Sequence, residues 1–130
     1  ERGLALARAA QNPLIGRDAF SLELAETRLA ASDPRGAHEL LETLVGRFEG
    51  DPDALARLDL LRARALWLVD PAARPAARAL AEGAERGYAA LAADTSVLPP
   101  TRAERRAHLA EVRSWLAEHA FYGMVQSTGH

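Results

Sequence analysis

Residues 33–71 read DPRGAHELLETLVGRFEGDPDALARLDLLRARALWLVDP, and the pairs Asp33-Pro34, Asp51-Pro52 and Asp70-Pro71 punctuate that stretch at nearly equal intervals. An aspartate carboxylate accepts from the free N–H groups of a helix's first turn, and a proline at the first helical position has no N–H to leave unpaired. Each pair therefore predicts a helix start, with Asn12-Pro13 as a weaker further member. The regular interval predicts helices of about four turns joined by very short connections, so that neighbours run antiparallel.

The segments between these starts carry helical periodicity. After Pro34 the apolar residues Ala37, Leu40, Leu41, Leu44, Val45 and Phe48 form one stripe, which Gly50 ends. Upstream, Asp18 to Ser32 places Leu22, Ala25 and Leu29 on one side and pairs with its successor as a hairpin. The helix after Pro52 is apolar on two arcs, Leu55, Leu58, Leu61, Ala65, Leu66, Leu68 and Val69 on one, and Ala56, Leu60, Ala63 and Trp67 on the other. A helix apolar nearly all round is covered on several sides, which makes it the central one.

Downstream, Asp70 to Ala93 predicts a helix with Ala77, Leu80, Ala81, Ala84, Tyr88 and Leu91 as its stripe. Pro75 is either tolerated near its start or moves the start a few residues later. Gly83 and Gly87 cost about 1 kcal/mol each relative to alanine inside a helix, so a close helix contact is expected there. Asp94 to Pro100 is a loop; Thr101 and Glu104 are spaced as a capping box for a last helix through Leu109, Val112, Leu116 and Ala120. A short opening helix is expected over Arg2 to Gln11, and residues 121–130 are expected to dock loosely or stay disordered, leaving residues 1–120 as one domain.

Composition agrees with helices. Of 130 residues 48% are hydrophobic and 26% charged, and alanine and leucine far outnumber β-branched residues. All sixteen basic residues are arginine, a pattern expected of GC-rich coding bias, and a net charge of −2 with interleaved signs offers no basic stripe for nucleic acid. No cysteine is present, so neither disulfides nor thiolate chemistry enter. The apolar stretches are too short to span a bilayer. The chain opens at Glu1 without methionine or signal peptide, as expected of a piece of a longer polypeptide or a processed one; the compartment stays open, with the cytoplasm slightly favoured.

Aligned on their Asp-Pro turns, Ala37, Leu41 and Leu44 match Ala77, Ala81 and Ala84 once three residues are allowed near Arg74. This resembles the second helix of a tetratricopeptide repeat, whose 34-residue period is about twice the interval above. In the first-helix position Leu24 and Ala25 suit the family's large-small pair, whereas Leu61 is followed by Arg62. The segment Glu111 to His119 is similar to the final helix of tetratricopeptide-type regions in large bacterial proteins, including C-terminal parts of some multidomain kinases. The resemblance covers residues 18 to 119. It implies a right-handed array of five or six helices whose first helices line a concave groove, commonly occupied by a peptide or partner helix; the departures at the first-helix positions leave an irregular bundle open.

Arg57 and Arg64 fall in the strip between the two apolar arcs, with Arg28 a companion on the preceding helix. Their forked donors suit an acidic protein or peptide partner, although solvated ion pairs with Asp59 or nearby glutamates are the plainer reading. Trp67, with Leu60, is either an anchoring surface or a core residue. Trp115, Phe121 and Tyr122 form an aromatic patch suited to capping the last hairpin or meeting a neighbouring domain. The histidines 38, 108, 119 and 130 make no i, i+4 pair and no HExxH motif, so no metal or other cofactor is expected. No nucleophile elbow, P-loop or apolar carboxylate pair points to an enzyme. The expected function is an interaction or scaffolding module of a larger bacterial protein, with a structural or regulatory helical segment packing on other domains of its own chain as the alternative.

Overall fold

The computed structural model describes the backbone of residues 13–128 and the side-chain environment of residues 16–119. It is all-helical, with no strand among the described residues: α1 (Pro13–Ala30), α2 (Pro34–Glu42), α3 (Pro52–Val69), α4 (Arg74–Ala92) and α5 (Pro99–Thr128). The opening helix expected over residues 2–11 lies outside the described residues, as does Asn12.

The first two Asp-Pro pairs act as read, and the third only in part. Asp33 Oδ1 accepts from Gly36 N–H and Asp51 Oδ1 from Ala54 N–H, each with proline in the first turn, while Asp70 Oδ1 accepts from Ala72 N–H. The third pair opens a single 3₁₀ turn, Pro71–Ala73, before α4 begins at Arg74, so Pro75 does shift the α-helical start. Between α1 and α2 the chain turns through Ser32 at φ 64°, with Ser32 N–H donating to Leu29 O and Asp33 N–H to Arg28 O. That is a Schellman ending with serine in the left-handed site usually held by glycine. Asp33 therefore closes one helix and caps the next.

Two elements differ from expectation. The stripe after Pro34 does not continue as a helix to Phe48: α2 ends at Glu42, and residues 43–50 wind as successive turns in which N–H groups of Thr43, Leu44, Arg47 and Asp51 donate to carbonyls three residues back. Gly46 and Gly50 sit at φ 85°, a left-handed conformation that interrupts the helix and that glycine adopts without steric cost. Leu44 and Phe48 still reach the core, whereas Val45 is exposed. The last helix starts at Pro99, not behind a Thr101 box: Asp94 Oδ1 accepts from Ser96 N–H and Oγ, and Leu98 O accepts from Arg102 N–H. Its backbone stays helical through Thr128, past the end expected near Ala120.

Successive helices pack on one another. Across α3 and α4, a Cβ placed on Gly87 would lie 3.3 Å from the Ala56 Cβ and one on Gly83 4.0 Å from Asp59, so the pair runs antiparallel, with Gly87 at the tightest approach. Between α4 and α5, Leu91 faces Arg105, Tyr88 faces His108 and Glu85 faces Arg113, again antiparallel. The pairs Asp53–Arg105, Arg64–Glu111 and Trp67–Trp115 show α3 and α5 running parallel.

The central role of α3 is visible in burial. One core gathers Leu22, Ala25, Ala37, Leu41, Leu44 and Phe48 against Leu58, Leu61 and Ala65; the other gathers Ala84, Tyr88, Leu91, Leu109 and Val112 against Ala56 and Leu60. The two arcs of α3 thus serve different cores, although Leu55 and Leu68, read as part of the first arc, are exposed. Burying a leucine stabilises by roughly 1.5–3 kcal/mol and a partly exposed ion pair by about 0–1. The two cores hold the fold; pairs such as Arg62–Glu42 and Arg113–Glu85 trim it.

Candidate functional site

A cleft of about 840 Å³ opens between α1, α3 and α5. Helix α1 contributes Asp18, Ala19, Leu22 and Glu23; the turns at residues 46–51 contribute a second wall with Arg47 and Glu49; α3 contributes Asp53, Ala54 and Arg57; and α5 contributes Thr101, Glu104, Arg105 and His108. Tyr88 of α4 closes the floor, 1% exposed, its ring stacked on His108 at 5.3 Å and 22°. Parallel α3 and α5 and the short turns of residues 43–50 create the opening.

Most of the cleft's charges already have partners. Arg105 joins three helices: its Nη1 donates to Leu91 O at 3.1 Å and its Nη2 to Asp53 Oδ2 at 2.9 Å, with Asp94 3.8 Å away. Asp94 is held below the usual carboxylate range by the Ser96 hydroxyl and N–H, with Arg105 adding to the effect. Arg57 is ion-paired with Glu26 of α1. Burial pulls the Arg57 guanidinium down, but the Glu26 hydrogen bond and charge outweigh it and hold the group above its ordinary value. Burial pushes the Tyr88 phenol up to about 12, with nearby Arg57 opposing the rise. His108 lies 3.7 Å from both Glu104 and Glu111. Asp18 is 8% exposed, yet no described residue donates to its carboxyl.

The residues singled out in the sequence line different hollows or tie helices together. Arg57 lines the cleft, while Arg64 lines a separate hollow of about 290 Å³ with Leu60, Glu111, Ser114, Trp115 and Glu118. Arg64 lies 4.0 Å from Glu111, and Arg28 Nη1 donates to Gly36 O at 3.3 Å, tying α1 to the start of α2. Trp67 is 6% exposed: Trp115 and His119 meet it edge-on at 5.6 and 4.6 Å, and the Arg74 guanidinium lies over its ring at 4.7 Å. Buried there, Trp67 fastens the C-terminal end of α3 to the middle of α5, the core reading of the two. Trp115 joins this cluster, stacked on His119 at 3.9 Å, whereas the side chains of Phe121 and Tyr122 lie outside the described residues.

Asp18, Arg105 and His108 were not singled out as site residues, and Tyr88 was read only as core. A signal for two of them was present. Asp18 is in phase with Leu22, Ala25 and Leu29, and Arg105 with Leu109, Val112 and Leu116, so each places a charge on a buried stripe. Such a charge needs a partner or a purpose.

Among the described residues no group of three or more His, Asp or Glu side chains could hold a metal ion, and no helix is long and apolar enough to cross a membrane. Comparison with known proteins finds no matching family model, curated relative or solved structure.

Proposed function

We propose that this chain is a protein-interaction module, a short tetratricopeptide-like right-handed array within a larger bacterial protein, that receives a peptide segment in the cleft between α1, α3 and α5. The observation carrying this reading is the cleft's makeup: the three odd-numbered helices contribute to its walls, as the first helices of stacked hairpins would. The antiparallel α3–α4 and α4–α5 packing and the parallel run of α3 beside α5 support the same arrangement. The residues around the cleft are tied to one another by salt bridges, ring stacking and helix caps, an arrangement suited to a rigid receptor and not to proton transfer. Arg28, Arg57 and Arg64 are each engaged within the chain, which disfavours an acidic partner.

The alternative, a structural segment packed on other parts of its own polypeptide, is favoured by one observation: Phe20, Val45, Leu68 and Leu98 are each more than half exposed. A displayed random-peptide library panned against the chain decides between them. Selected peptides are expected to shift the amide resonances of Ala54, Glu23 and Thr101 in a labelled sample. Failure to enrich any peptide, or shifts confined to the surroundings of Phe20 and Leu98, would overturn the cleft reading.

A further inference from the structure

We infer that the cleft recognises a basic side chain of the bound peptide, arginine or lysine, through the carboxyl group of Asp18. The inference rests on the peptide-binding reading above and adds the chemistry of the partner. Asp18 is the only buried polar or charged residue among those described, and it lines the cleft. Although most of the residue is covered, its carboxylate oxygens still reach solvent, so the group faces the cleft with no donor from a described residue. Leucine at this position would extend the stripe formed by Leu22 and Ala25; aspartate weakens it. Proteins tolerate such a loss where the group serves a ligand.

The surrounding charges point to a cation as that ligand. Of the three lining guanidiniums, Arg57 and Arg105 are engaged by Glu26 and by Asp53 with Leu91 O. Of the remaining charged lining side chains, Glu23 and Glu49 have no described partner, against Arg47 alone on the positive side. With Asp18, carboxylates therefore outnumber guanidiniums among the groups free to meet a partner. A guanidinium or ammonium entering the cleft would supply Asp18 with the charge-assisted donors that the fold withholds. The carboxylates are not gathered into a metal site, which leaves an organic cation as the fitting occupant.

The test uses the peptides selected from the random library, measured by titration calorimetry on the full chain. Each is compared with a copy in which arginine is replaced by neutral citrulline, or lysine by norleucine, against wild type and Asp18→Asn. The expected result is a consensus containing a basic residue, a loss of about tenfold or more from either change alone, and little further loss when both are combined. Peptides that shift the cleft resonances but bind equally well without their positive charge would overturn this inference and leave the module reading standing. Absence of any cleft-binding peptide would remove both. Because the carboxyl has no described donor, Asp18→Asn is expected to melt at or above the wild-type temperature; should it fail to fold, the neutral-peptide comparison on wild type decides alone.

Discussion

Tyr88 shows how one side chain ties the cleft to the core. Its ring is buried with Ala84, Leu91 and Val112 and stacks on His108, so α4 and α5 share it, while it also lines the cleft floor near Arg57. Burial favours the neutral phenol and moves its pKa from 10.0 to about 12, with the Arg57 charge and hydrogen bond pulling the other way. The folded state therefore holds the phenolic proton at pH values where the unfolded chain releases it. The resulting stability is complete below pH 10, declines above it, and is lost as pH rises through about 12. Urea midpoints measured across that interval should fall with rising pH, and Tyr88→Phe should flatten the fall. An equally steep decline in the Phe variant would place the alkaline sensitivity elsewhere.

At the scale of elements, the contact between α3 and α4 makes two glycines of the same helix behave differently. A methyl on Gly83 meets its nearest neighbours, Arg86 and Asp59 side-chain tips, at 3.8 and 4.0 Å, an ordinary contact. Gly83→Ala should therefore realise most of the helix-propensity gain, about 0.5–1 kcal/mol. On Gly87 the methyl meets the Ala56 Cβ at 3.3 Å, a group fixed to its own backbone, so the helices must part slightly and the gain should vanish or reverse. Chemical denaturation of both variants checks this, and equal stabilisation would mean that α3 and α4 separate at no cost. The tight contact was legible as two costly glycines inside a helix, but which glycine mattered was not, because that depends on the register between helices. Elements marked by local chemistry were legible in the same way: the Asp-Pro caps and the two-sided α3 follow from near neighbours in the chain. The early end of α2 and the start of α5 at Pro99 were not, since Gly46 and the Asp94–Ser96 turn redirect a backbone whose apolar stripe alone favours a longer helix. In the cleft, Arg57 was legible as a charge on a mostly apolar helix, but its engagement by Glu26 was not, because that partner is distant in sequence and has an unremarkable helical setting.

Over the whole molecule, α3 belongs to two cores that do not otherwise share residues. Leu58, Leu61 and Ala65 face α1, α2 and the turns at Leu44 and Phe48, while Ala56 and Leu60 face α4 and α5. Because the two cores meet through α3 alone, loss of one need not at once dissolve the other. Leu41 and Leu60, 0% and 1% exposed, probe the two sides. Either leucine replaced by alanine should cost about 2–5 kcal/mol. The damage should be distributed unequally. Leu41→Ala should accelerate amide hydrogen exchange most in α1 and α2, Leu60→Ala most in α4 and α5, and in wild type the slowest amides should lie in α3, which opens only when both cores are released. The same inequality bears on the cleft, whose walls come from both sides: α1 from the first core's side, α5 from the second's. A peptide seated there would bridge them, so its binding should slow exchange in α1 and α5 together. Uniform acceleration by both leucine variants would show a single cooperative unit, and protection of only one wall would show that the peptide does not span the cleft.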